Sequence, residues 1–147
     1  MLTFTKGEYK SRLTKTKESM EKQGIDVLLV TDPANMNYLT GFDAWSFYVH
    51  QLLSVIAEEE EPIWVGRGMD ASAAEITTWL SSKNILPYSD DHVQSTEKHP
   101  MDFVANMIEE KGLSNKTIAA EYDAYYFTAK NYIQLTKQLP NAKFVDG

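Results

Sequence analysis

Val27-Leu28-Leu29-Val30 runs through Thr31 into Asp32-Pro33-Ala34-Asn35-Met36-Asn37-Tyr38-Leu39-Thr40-Gly41, and the reading of these residues decides the fold. Four consecutive aliphatic residues describe a strand buried on both faces, since a half-buried strand would alternate apolar with polar. Asp32 can cap a helix, Pro33 suits the first helical position where no N–H is needed, and Gly41 supplies the positive φ that ends it. A buried strand feeding directly into a helix opens an α/β arrangement.

The flanking sequence continues the pattern. From Thr5 to Gln23, Tyr9, Leu13 and Met20 recur in a Lys/Glu-rich background and Gly24 follows as a stop, which predicts an amphipathic surface helix. Leu52 to Ala57 and Ile63 to Val65 read as strands, joined by the acidic run Glu58 to Glu61 into an antiparallel hairpin. That run is expected to be a solvated loop, because adjacent glutamates diverge and make a poor metal site. Asp70 is expected to cap a helix carrying Ala71, Ala74, Ile76, Trp79 and Leu80, followed by a strand from Ile85 to Tyr88 and a polar loop from Ser89 to His99. Pro100 opens a helix through Lys111 with Phe103, Val104, Met107 and Ile108 on one face and Gly112 as its stop. Thr117 to Glu121 is a strand, Tyr125 to Gln138 a helix, and Lys143 to Val145 a last strand. On this helical reading Trp79, Tyr125, Tyr126 and Phe127 are core or half-buried packing. The fold class is therefore α/β, a single domain over residues 1–147 with a mixed, about six-stranded sheet flanked by helices.

Composition narrows the function. The chain has 147 residues, 43% hydrophobic, and a net charge of −7, an acidic balance that argues against nucleic-acid or anionic-lipid partners. No apolar run approaches the roughly 20 residues of a membrane span. Met1 is followed by a Lys-rich helical segment, so no secretory signal is expected. With no cysteine, disulfides, thiolate ligands and a cysteine nucleophile are excluded, and the reading is a cytoplasmic protein.

The search for catalysis is mostly negative. The three histidines, His50, His92 and His99, are not spaced as metal ligands on a helix. Gly66 and Gly68 bracket Arg67 without either phosphate-loop fingerprint and read as a strand-to-helix turn. The serines lack a glycine elbow, Asp90-Asp91-His92 reads as a turn, and His99 before Pro100 as a helix-entry residue. One stretch resists a folding explanation: between Gly41 and Leu52, Phe42, Trp45, Phe47 and Tyr48 sit among Asp43, Ser46, His50 and Gln51 with no period of 2 or 3.6. It is an aromatic-walled loop. Trp45, Phe47, Tyr48, His50 and Gln51 carry its distinctive chemistry, rings beside hydrogen-bonding groups.

Gly24-Ile25-Asp26-Val27-Leu28-Leu29-Val30 followed by Asp32 to Phe42 resembles the N-terminal domain of the creatinase, prolidase and aminopeptidase P family, and the resemblance extends along essentially the whole chain. The runs Trp45 to Gln51, Gly66-Arg67-Gly68-Met69-Asp70-Ala71 and Val93 to Asp102 look most like ectoine-hydrolase-type members. Creatinases place an arginine on the substrate carboxylate where this loop has Val49, His50 and Gln51, which makes creatine a poor guess.

The resemblance implies a ribonuclease-H-like motif and a helper role. In full members a C-terminal pita-bread catalytic domain, absent from this chain, carries the active site. A divalent metal (Mn, Co or Zn) is the candidate cofactor of that second domain, and no cofactor is expected in this one. It further implies a homodimer in which the loop Phe42 to Gln51 reaches the neighbour's active site, a small-molecule or dipeptide substrate, and a parent hydrolase of the Xaa-Pro dipeptidase or ectoine-hydrolase type. In that setting Trp45, Phe47, Tyr48, His50 and Gln51 are the candidate substrate-binding residues: toward a compact cation bearing a carboxylate the rings form a cation-attracting wall and His50 or Gln51 is the donor, the alternative being that the rings pack against the strand at Leu52 or into the dimer contact. The alternative is a free-standing small-molecule-binding or pseudo-enzyme module of the same fold.

Overall fold

Thr5 accepts the Glu8 N–H through its hydroxyl and starts α1 (Lys6–Gln23), and Gly24 closes it at φ 67°. In the computed structural model, which describes residues 2–147, this helix leads into β1 (Val27–Val30). Asp32 then caps α2 (Pro33–Thr40) by accepting from Ala34 N–H and Asn35 N–H, and Gly41 ends it at φ 81°. A side chain on Gly41 would meet the Tyr9 hydroxyl at 2.9 Å and the Thr77 carbonyl at 3.0 Å, so close packing demands glycine as much as the dihedral does. β2 (Leu52–Ile56) and β3 (Ile63–Arg67) follow, then α3 (Ala71–Thr77), β4 (Ile85–Tyr88), α4 (Pro100–Glu110), β5 (Thr117–Ala120), α5 (Ala129–Gln138) and β6 (Lys143–Asp146).

The described residues form one six-stranded sheet in the order β4-β3-β2-β1-β5-β6. β1 pairs antiparallel with β2, in a register that sets Leu29 opposite Ser54, and parallel with β5, with Leu28 opposite Ala119. β2 and β3 form the expected antiparallel hairpin, while β3–β4 and β5–β6 are parallel. Because successive side chains on a strand point to opposite faces, β1 serves two cores. Val27 and Leu29 join Val104 and Ile108 of α4 and Leu135 of α5; Val30 joins Tyr9, Met36 and Ala74 from α1, α2 and α3. Each fully buried aliphatic chain contributes on the order of 1.5–3 kcal/mol. Leu28 is only half-buried, so β1 is apolar throughout without being sealed throughout.

Three expectations are corrected. α3 stops at Thr77, and Asp70 makes no side-chain cap bond because Gly68–Asp70 is a 3₁₀ turn. The Thr78 hydroxyl donates to the Ala74 carbonyl, and Trp79, beyond the helix, donates its indole N–H to the Leu39 carbonyl at 3.0 Å. Its burial comes from that turn, while Ile76 on the helix is 71% exposed. α5 begins only at Ala129, capped by the Thr128 hydroxyl, so Tyr125, Tyr126 and Phe127 lie in a turn. Phe127 is buried, but Tyr125 is 85% exposed. The acidic turn after β2 is partly engaged: Lys111 pairs with Glu59 at 2.6 Å, Lys17 donates to the Glu59 carbonyl, and the Ser81 hydroxyl donates to Glu61. Among the described residues no helix is long and apolar enough to cross a membrane.

Candidate functional site

β1 and β5 lie side by side and parallel, yet the chain leaves them in opposite directions. β1 continues through α2, on one face, to β2; β5 continues through α5, on the other face, to β6. At the carboxyl ends of such a pair the outgoing segments part and leave a crevice, the usual ligand position in open α/β sheets. Glu121, directly after β5, ties the two strand ends together. Its Oε2 accepts the Thr31 N–H at 2.6 Å and the Asp32 N–H at 2.8 Å, and its Oε1 accepts from the Asn35 side chain.

Beside this junction is a cleft of about 440 Å³, bounded by Thr31 and Pro33, by the loop segment 46–51, and by Tyr125, Tyr126 and Thr128 of the turn before α5. Four of the five candidates from the sequence, Phe47, Tyr48, His50 and Gln51, line it. Phe47 and Tyr48 are 73% and 60% exposed. Trp45 stands outside, in the adjoining groove with Pro33 and Phe42. Its indole N–H donates to the Tyr126 hydroxyl at 2.5 Å, and its ring meets Phe47 edge-on at 5.6 Å. Phe42 is buried against Trp64 and belongs to the core.

His50 and Gln51 are already committed. The His50 carbonyl accepts the Tyr88 hydroxyl, and its ring Nδ1 faces the Asn131 side-chain nitrogen at 3.4 Å, with Asn131 itself buried. Gln51 donates to the Ala44 carbonyl at 3.4 Å. Behind the loop lies a smaller pocket of about 140 Å³, between Tyr48–His50 and the segment 92–100. There His99 caps α4: its Nδ1 accepts the Met101 N–H while Asp102 accepts the His99 N–H at 2.8 Å. This is the helix-entry role expected of it. The His50 and His99 rings sit 5.3 Å apart, and Arg67 grips Asp90 through two bonds of 2.8 and 3.1 Å. The loop is therefore braced from behind and open in front.

The family model described as Creatinase/Prolidase N-terminal domain matches residues 12–147. The chain belongs to this family. It is 47% identical to the ectoine hydrolase of Halomonas elongata over 99% of its own length and 37% of that protein's. It is 44% identical to an uncharacterized hydrolase/peptidase of Sinorhizobium fredii, over 100% of this chain and 38% of the relative. The chain thus spans little more than a third of the length of these relatives. A proline dipeptidase structure from Streptococcus pneumoniae superposes with a TM-score of 0.73 at 24% identity, covering 92% of this chain and 90% of that one, and shows the same fold.

Within this creatinase/prolidase-type domain the electrostatics are those of a neutral recess. Burial pushes the His50 imidazole below its ordinary value, against the Tyr126 backbone carbonyl that draws it up. Burial and the neighbouring His50 push His99 down to about 4, although Asp102 pulls the other way. Both rings are neutral at pH 7. Among the described residues no three His, Cys, Asp or Glu side chains converge to hold a metal ion, and the free ring nitrogens that would be needed are partly spent on Asn131 and Met101. The donor set does not fit a divalent metal. The turn at Tyr125 and Tyr126 is the part of the site that sequence reading missed; Thr128, three residues before Asn131, is the helix-start signal that separates those tyrosines from α5.

Proposed function

We propose that this is the non-catalytic substrate-recognition and dimerisation domain of a cytoplasmic hydrolase acting on C–N bonds of small amino-acid derivatives, ectoine-like compounds first and Xaa-Pro peptides second. In this reading it works with a C-terminal catalytic domain of the same polypeptide, and that domain holds any metal. The observation that carries the reading is the braced loop 42–51, which presents Phe47 and Tyr48 beside a cleft with no clustered metal ligands. The likeness to an ectoine hydrolase across nearly the whole chain supports the reaction class. His50 and Gln51 hold the loop's shape through Asn131 and Ala44. Phe47 and Tyr48 are left to meet the substrate on the open side of the loop, where excluding water strengthens every polar contact.

The test is kinetic, on a polypeptide that carries this domain together with its catalytic partner. Phe47→Ala should raise KM or lower kcat with melting and dimerisation unchanged, and the 147-residue chain alone should hydrolyse neither ectoine nor Xaa-Pro dipeptides. Unchanged kinetics in the variant, or turnover by the isolated domain above a buffer control, refutes the reading.

A further inference from the structure

We propose that the cleft at the carboxyl ends of β1 and β5 is a ligand site complete within this domain, selective for a compact organic cation or zwitterion, with Tyr125 and Tyr126 supplying one of its two aromatic walls. The inference deepens the recognition role above and rests on the same site. Four observations carry it. The cleft, at about 440 Å³, is within the range of small-molecule sites and too small for a folded partner. Its walls are aromatic on both sides: Phe47 and Tyr48 from the loop face the turn bearing Tyr125 and Tyr126, whose rings meet at 5.6 Å and 83°.

The polar groups are all neutral. Ser46, Gln51 and Thr128 can exchange hydrogen bonds, and among the described lining residues there is no Lys, Arg, Asp or Glu. A free anion would find no cation to pair with. An organic cation would find ring faces, whose quadrupoles attract diffuse positive charge. Behind Thr31 the fixed charge is negative, Glu121 having an oxygen 3.4 Å from the Thr31 hydroxyl, and behind Tyr48 the Arg67 guanidinium is neutralised by its two bonds to Asp90. The net charge of −7 acts in the same sense over longer distances. Finally, the two walls are coupled, because the Trp45 indole N–H donates to the Tyr126 hydroxyl and ties loop to turn. A ligand that touches Tyr126 must therefore be felt at the Trp45 indole.

The ¹⁵N-labelled 147-residue chain is titrated with choline chloride and, separately, with its neutral isostere 3,3-dimethylbutan-1-ol, at ionic strength matched with sodium chloride. Choline should move the Trp45 indole N–H resonance and the loop amides saturably, and the isostere should bind about tenfold more weakly. Tyr125→Ala should weaken choline binding several-fold while Tyr125→Phe retains it. Both variants should melt like the parent, since Tyr125 is almost fully exposed. Equal affinity for choline and the isostere, no saturable shift with choline, or wild-type choline binding by Tyr125→Ala overturns the proposal. Choline binding combined with unchanged kinetics for Phe47→Ala refutes the recognition role and keeps the site. Altered kinetics without choline binding does the reverse.

Discussion

Acid should destabilise this domain through His99, and the size of the effect can be worked out. Unfolded, the imidazole titrates near 6.5; folded, burial and the facing His50 bring it to about 4. The folded value is the lower one, so as pH falls the unfolded chain takes up a proton that the folded chain refuses. Stability is therefore intact above about pH 6.5 and drains away toward pH 4. The groups facing the ring are His50 on the loop, Asp102 and His92 on its own side, and Lys130 on α5; only Asp102 favours the proton. Between pH 7 and 5 the full shift corresponds to about 2 kcal/mol, and because His99 is only half-buried, solvent screening cuts this to about 1 kcal/mol, or about 2–4 °C in Tm. His50, also depressed by burial, adds in the same direction. Asp102 does not confuse the window. Burial works against its charge, but bonds from Gln134, the His99 N–H and Gln138 hold its carboxyl low, so its contribution is lost only at more acid pH. The informative variant is His99→Asn, which keeps an N-cap for Met101 and removes the ring. Urea unfolding at pH 7 and 5 should show its acid loss smaller than wild type by about 1 kcal/mol. An equal loss in both proteins refutes the reasoning.

Gly66→Ala would set a methyl 2.5 Å from the Trp64 ring, which is fully buried; urea unfolding should show a loss of about 1–3 kcal/mol from overpacking, and a neutral result would mean the indole can shift. Leu29→Ala, at a sealed position of β1, should cost about 2–5 kcal/mol, with the half-buried Leu28→Ala costing less; the reverse order in denaturant midpoints would contradict the burial described.

What the sequence made legible was what short-range chemistry controls. Asp32, Pro33 and Gly41 each act within one turn of their own position, so the start and end of α2 could be read without knowing any neighbour. The alternation of strand and helix, and the hairpin across the acidic turn, followed from equally local signals. Tyr125 to Phe127 read as helical because apolar residues abutting a periodic segment extend its apparent helix, and only the cap at Thr128 breaks it. Trp79 reads as helical because it is apolar and follows a helical run; the turn beyond Thr77, fixed by a hydrogen bond to Leu39, 40 residues earlier, buries it. The candidate loop was visible from its lack of any period. Its partners were not, since no local pattern links Trp45 to Tyr126 or His50 to His99.

The bonds that build the cleft span long stretches of chain: 90 residues separate Thr31 from Glu121 and 81 separate Trp45 from Tyr126. Contacts of such sequence separation require large loops to close, and they form slowly relative to helices and hairpins. During synthesis β1, β2 and β3 can assemble as an antiparallel unit as soon as they emerge, but the Glu121 tie and the second wall must await β5, whose first residue is Thr117. A nascent chain therefore carries a loop without a pocket. Any ligand of the cleft binds only the completed domain, and it acts on the folding equilibrium by holding the finished sheet closed, not by guiding its formation.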